Sequence, residues 1–264
     1  MLFLPASAAD ISSNARVKLY PRQQVLQVSN APIFRERGWE PRKRQYAVPS
    51  KGCAADPERS KESSIARARA AVRDIALCNC FDHFFTWTLD GKRVDRYDPE
   101  AVGAKMRNLL KNLSYRKGFQ YVLVPELHAD GAIHMHGLCN LGRVRVVQAI
   151  NPHTGAPLFA SPWQPIYNMQ DWPLGYSTCI PIVGGEEGYQ KTCNYLVKYL
   201  SKGTEKIFGK RYYSSRDLTK RPPVQLVHGL DFDQFMADNP EVCPFPLFRD
   251  VCMAAKQLEG GGCL

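Results

Sequence analysis

The sequence predicts an α+β fold. Three features carry that expectation: a β-hairpin signature over residues 121–138, an aromatic and β-branched run at 84–89, and helical periodicity in three separate stretches. At 264 residues the chain can hold one well-buried domain with extensions, or two small domains, but no additional motor domain. The expected division is an N-terminal extension over 1–57, a principal domain over 58–225 and a C-terminal tail over 226–264.

Residues 1–57 hold Pro5, Pro21, Pro32, Pro41, Pro49 and Pro57 and the basic cluster Arg35, Arg37, Arg42, Lys43 and Arg44, with a short strand at Val25–Val28. From Glu58 to Cys78 the run is rich in Ala and Arg and reads as a helix, with Ile65, Ala68, Val72, Ile75 and Ala76 on one stripe. Phe84–Leu89 follows as a strand closed by Asp90-Gly91. Asp98-Pro99-Glu100 opens a second helix, whose Val102, Met106, Leu109, Leu110 and Leu113 make a core-facing stripe. Tyr121–Leu127, a turn at Ala129-Asp130-Gly131 and Ala132–Leu138 form the hairpin. The stretch 143–188 is loop-rich with a strand at Ser177–Val183, and a last helix runs from Glu187 to Ser201.

Thirty-five Lys and Arg against 25 Asp and Glu give a net charge of +10, which favours a polyanionic partner through phosphate neutralisation. The nine cysteines are odd in number and lack paired spacing, so they read as reduced thiols rather than a disulfide scaffold or a four-cysteine zinc site. Neither a signal peptide nor a membrane span is expected, because Pro5 interrupts the first apolar run and no later run is long enough. No membrane partner and a cytoplasmic location are therefore expected.

Strand side chains alternate between faces, so His134 and His136 point the same way while Met135 points the other. A hairpin pivoting near Asp130 sets Glu126 across from His134, and opposite residues have Cβ atoms only ~5 Å apart. Two imidazoles and a carboxylate form a donor set for a divalent cation, Mg²⁺ or Mn²⁺, although Zn²⁺ accepts the same donors. His128 has the same parity and is a further candidate. An isolated His-x-His also arises by chance on half-exposed strands.

In the last helix Tyr195, Lys198, Tyr199 and Lys202 share one narrow face, and Cys193, Leu196, Val197 and Leu200 the opposite one. The apolar face packs, and the tyrosine and lysine face is offered to something else. Such residues often only snorkel at a surface. A phenol with a pKa of ~10 is a poor nucleophile by itself, so a nearby cation or polarised phosphate must assist its attack. A lysine then stabilises charge on the phosphate oxygens.

The order FFTWTLD (84–90), PELHADGAIHMHGL (125–138) and YLVKYLSK (195–202), together with RYYSSRDL (211–218), resembles the HUH endonuclease superfamily. Within it the chain is most similar to two-tyrosine rolling-circle replication initiators (Rep proteins) of phages and plasmids, filamentous-phage gene II-type proteins included. The resemblance covers residues 60–220 and implies a ferredoxin-like domain with a central antiparallel sheet flanked by helices. It also implies a cation held by His134 and His136, with Tyr195 and Tyr199 as the doubled tyrosine that joins the 5′ side of a nick and frees a 3′-hydroxyl primer. Glu126 as third ligand rests on the hairpin register, since the third ligand of the superfamily varies. Arg211 and Arg216 are the expected DNA contacts.

Residues 203–210 miss the GxxxxGK[ST] spacing of a phosphate-binding loop, so the expected partners besides single-stranded origin DNA are a host helicase and DNA polymerase in a bacterial cytoplasm. A relaxase or transposase shares the same chemistry. A rival from another class is a non-catalytic single-strand nucleic-acid-binding module with a structural Zn²⁺.

Overall fold

The computed structural model describes residues 12–35, 53–202, 206–248 and 250–258; of the expected basic cluster near the N-terminus only Arg35 falls within them. The first elements are β1 (Ser12–Ser13), β2 (Ala15–Leu19), β3 (Gln24–Ser29) and β4 (Phe34–Arg35). Then come α1 (Pro57–Asn79), β5 (His83–Leu89), α2 (Pro99–Lys117), β6 (Gln120–Leu127) and β7 (Ile133–Asn140). Short strands β8 (Val146–Gln148), β9 (Phe159–Ser161), β10 (Gln164–Pro165) and β11 (Tyr167–Met169) lead to β12 (Gly175–Pro181) and α3 (Gly185–Lys202). The remaining elements are β13 (Tyr213–Ser214), β14 (Val224–Val227), α4 (Phe232–Asp238), β15 (Phe245–Phe248) and β16 (Val251–Leu258). The fold is α+β, with helices and antiparallel sheets.

Local chemistry explains the helix bounds. The Asp56 carboxylate accepts from the Arg59 amide, and Asp98 accepts from Glu100 and Ala101, so each caps amide groups that have no partner inside the helix. Pro57 and Pro99 come directly after those caps, where a missing N–H costs nothing. At the far end of α2 Gly118 turns left-handed with φ 68° and returns its amide to the Leu113 and Ser114 carbonyls.

The chain divides into two units, residues 1–51 with 222–264, and residues 52–221. The first holds a five-stranded sheet in the order β14-β2-β3-β16-β15, so the expected N-terminal extension and C-terminal tail share one sheet instead of standing as separate appendages. Nothing local announces this pairing, because Ala254 meets Val28 across more than two hundred residues.

The second unit holds a seven-stranded sheet in the order β13-β6-β7-β5-β12-β11-β8, with every neighbouring pair antiparallel. Helix α2 lays Val102, Met106, Leu110 and Leu113 on Phe85, Trp87, Leu123 and Met135, all of them buried. Each such side chain contributes roughly 1.5–3 kcal/mol when removed from water. Helices α1 and α3 pack on each other, joined by the Tyr189 hydroxyl, which accepts from the Phe81 amide at 3.0 Å and donates to the Ala76 carbonyl at 2.5 Å. Helix α3 also rests on β6 and β7.

Gly137 occupies the centre of that sheet, where a Cβ would lie 2.5 Å from the Phe85 ring and 2.6 Å from the Val122 carbonyl oxygen. Neither neighbour can retreat, since Phe85 is buried and the carbonyl belongs to a paired strand. Gly137→Ala therefore lowers the unfolding free energy by about 1–3 kcal/mol through overpacking, read as a lower urea midpoint at unchanged slope.

Among the described residues every cysteine is free, and no helix is long and apolar enough to cross a membrane.

Candidate metal and tyrosine site

The β6–β7 register sets Glu126 opposite His134 and Val124 opposite His136. On the other side of β7, Thr86 of β5 faces His136 and Thr88 faces His134. Strand alternation thus assembles Glu126, His134, His136, Thr86 and Thr88 on one face and sends Met135 and Trp87 into the α2 core on the other. The FFTWTLD run serves both faces, so it is not the wholly buried strand its hydrophobicity suggests. Its threonine column is visible in that alternation, yet sequence reasoning missed it.

His136 is fixed from two sides. Its Nε2 stands 3.0 Å from the Glu126 carboxylate, and its Nδ1 stands 3.1 Å from the Thr86 hydroxyl. In the neutral ring, Nε2–H donates to Glu126 and Nδ1 accepts from Thr86. Both Glu126 and His136 are largely buried. His134 stands beside them, its ring centroid 6.4 Å from that of His136. Burial first, and then the neighbouring His128, hold the His134 imidazole below its ordinary pKa, against the opposing pull of Glu126. A neutral imidazole is the form that ligates metals. His128 stacks on His134 at 4.9 Å, is exposed, and lies 3.5 Å from Asp130, which Arg96 in turn holds at 3.0 Å.

Among the described residues no three His, Cys, Asp or Glu side chains already converge as an ion cage. The donor set fits a divalent cation all the same, because two ligands at right angles, each ~2.1 Å from an ion, stand ~3.0 Å apart. That is the observed separation of Glu126 and His136.

The tyrosine helix meets this strand directly. The Tyr199 ring lies flat on the His136 imidazole, with centroids 3.8 Å apart and planes 11° from parallel. Its hydroxyl donates to the Tyr195 hydroxyl at 2.6 Å. Phe84 closes the cluster, 5.5 Å from Tyr195 and 6.2 Å from His136. Burial, and then the bond to Tyr195, push the Tyr199 phenol well above its usual pKa, with the Glu126 charge acting the same way.

The two tyrosines are therefore unlike. Tyr195 is half exposed, whereas Tyr199 is buried between helix and sheet, not displayed on the open face expected from the helical wheel. Seating α3 on β6 and β7 rolls that edge of the stripe inward. Cys193, Leu196, Val197 and Leu200 are buried as the apolar face, and Lys198 is exposed. The Lys202 side chain lies outside the described residues.

Arg211 and Arg216 do not join this cluster. They line a groove between α1 and residues 206–221, where the Arg211 Nε donates to the Ser64 hydroxyl at 3.1 Å.

No curated protein and no solved structure matches the chain. Residues 82–204, a little less than half of the 264, match the family model described as replication-associated protein ORF2/gene II protein. The matched stretch runs from β5 through α3 and so contains Thr86, Glu126, both histidines and both tyrosines, which supports a Rep-like role in replication initiation.

Proposed function

We propose that the chain is a rolling-circle replication initiator of the HUH type, a metal-dependent endonuclease and strand transferase that nicks one DNA strand at an origin through a 5′-phosphotyrosine. The observation that carries this reading is the stack of Tyr199 on His136, which brings the tyrosine helix onto the histidine strand. The antiparallel sheet with helices against it suits a ferredoxin-like HUH domain.

Glu126, His134 and His136 would hold Mg²⁺ or Mn²⁺. When bound, such a cation supplies Lewis-acid polarisation of the scissile phosphate. Tyr195 is the first nucleophile, since its phenol is exposed and already accepts a hydrogen bond from Tyr199. Its oxygen bonds to phosphorus as the bond from phosphorus to the 3′ oxygen breaks. The phenolic proton passes to that departing oxygen, leaving a 3′-hydroxyl and a phosphotyrosine, with no water consumed and no change of oxidation state. Tyr199 orients the Tyr195 oxygen during the first cut and serves as the second nucleophile when the origin is regenerated. Lys198 and Lys202 offset charge on the phosphate oxygens, and Arg211 and Arg216 hold the strand. A host helicase and polymerase supply unwinding and synthesis.

Labelled single-stranded origin DNA incubated with the protein and Mn²⁺, then denatured, should leave label on the protein that resists SDS. Binding without an adduct would instead make the chain a single-strand-binding module.

Thr86→Val tests the positioning of His136. Loss of the hydroxyl frees the imidazole to turn, so nicking drops about 10–100-fold and half-saturation shifts to higher Mn²⁺. The same tyrosine should still carry the adduct; unchanged metal dependence would show that Thr86 only packs.

A further inference from the structure

Beside the chemical cluster lies a groove whose charge the nicking reaction leaves unexplained. It is a concave volume of about 890 Å³ within the 52–221 unit, between the outer stripe of α1 and residues 206–221. Its floor is small, with Ala68 and Ala71 leaving room for close approach. Its walls carry Arg67, Lys210, Arg211, Arg216, Lys220 and Arg221, with Asp74 as the one carboxylate among the lining residues. Like charges so gathered repel one another, a cost that a polyanion relieves. Among the described residues none of Arg67, Arg216, Lys220 and Arg221 has a carboxylate partner. The bond from Arg211 to Ser64 ties the loop to the helix and fixes the groove base. Tyr212 adds an aromatic face to the same wall. A positive trough with an aromatic wall is what a single strand needs, its phosphates tracked by cations and a base resting on a ring.

Two elements link the groove to the chemistry. Helix α1, which supplies Arg67 and Asp74, also sends Arg73 to the side-chain oxygen of Asn194, at 2.7 Å, next to Tyr195. Strand β13, at the groove, pairs with β6, which carries Glu126.

We propose that this groove is a second DNA site, a sequence-independent track for the backbone of the single strand flanking the cut. It extends the Arg211 and Arg216 contacts along α1 and through Lys220 and Arg221. The inference takes the identity of its ligand from the nicking reading, so its test avoids nicking altogether.

The probe is a fluorescent 30-nucleotide single strand of mixed, non-origin sequence, bound in chelator by the full chain over a range of salt concentrations. Each phosphate contact contributes about 0.7 to the slope of log K against log salt, so the triple variant Arg67→Gln, Lys220→Gln, Arg221→Gln should flatten the slope by about 2. Exchanging Arg67 and Arg221 for lysine should keep the wild-type slope. The Tyr195→Phe, Tyr199→Phe double variant should keep it too, which separates failure of the groove from failure of the chemistry. If the triple variant does not fold, each single variant is expected to lower the slope by about 0.7. A folded triple variant with unchanged slope and affinity overturns the proposal. So does competition by duplex DNA as effective as by the single strand.

Discussion

His134→Ala and His136→Ala should each cut nicking by on the order of 10²–10³-fold or more, the loss expected when a group that stabilises transition-state charge is removed. Affinity for the DNA should fall little, because basic side chains supply most of the phosphate binding. The two variants differ in what else they disturb. His134→Ala removes a half-buried ring whose neighbours are His128 and Glu126. His136→Ala also strips Tyr199 of the ring it lies on and leaves Thr86 and Glu126 without their shared partner. It should lose thermal stability as well as activity, at roughly 1–3 kcal/mol for the broken hydrogen bonds. Glu126→Ala should be less severe in its metal dependence. A double histidine variant that nicks at the wild-type rate in chelator would end the metal assignment.

The tyrosine substitutions should separate in the same way that the two side chains separate in the fold. Tyr195→Phe removes the exposed phenol and should take nearly all first-round cleavage with it. Tyr199→Phe keeps the ring on His136 and loses the hydrogen bond to the Tyr195 oxygen, so single-turnover cleavage should persist at a rate reduced about tenfold, near the worth of one hydrogen bond. A complete round asks more, since the second phenol must cut while the first still carries DNA, and each single variant should stall before the circle is released. The double variant should form no adduct. Mass spectrometry of the nucleotide-bearing peptide identifies the attacking residue. Equal first-round rates for the two single variants would contradict the assigned order, and an adduct on neither tyrosine would sink the mechanism.

Much of this cluster was legible in the sequence because strand and helix periods are local rules. A turn at Asp130 and the parity of alternation suffice to bring Glu126 across from His134, and that register is the one observed. The same holds for the apolar face of α3 and for the caps Asp56 and Asp98, which announce their helices from neighbouring residues. What escaped depends on contacts between distant segments. Thr86 becomes a partner of His136 only once β5 lies beside β7, and no periodicity states which strands will be neighbours. Tyr199 is buried because a helical wheel gives relative angles and not the roll at which a helix settles on a sheet. Glu126 touches His136 more closely than its direct cross-strand neighbour, a choice made by rotamers rather than register. The joining of residues 15–29 to 224–258 had no local signature at all.

That last pairing bears on the order in which the protein is made. All the strands of the histidine-bearing sheet lie within residues 52–221, so this unit can fold while the ribosome is still translating residues 222–264. Strands β2 and β3 emerge first and can form a hairpin, but β14 and β16, which flank that hairpin on its two sides, are among the last segments synthesised. Until then the hairpin offers two unpaired edges to anything nearby. The segment made earliest therefore completes its sheet last, and the slowest step of maturation should be this closure of the two chain ends, whose loop spans the entire nicking unit.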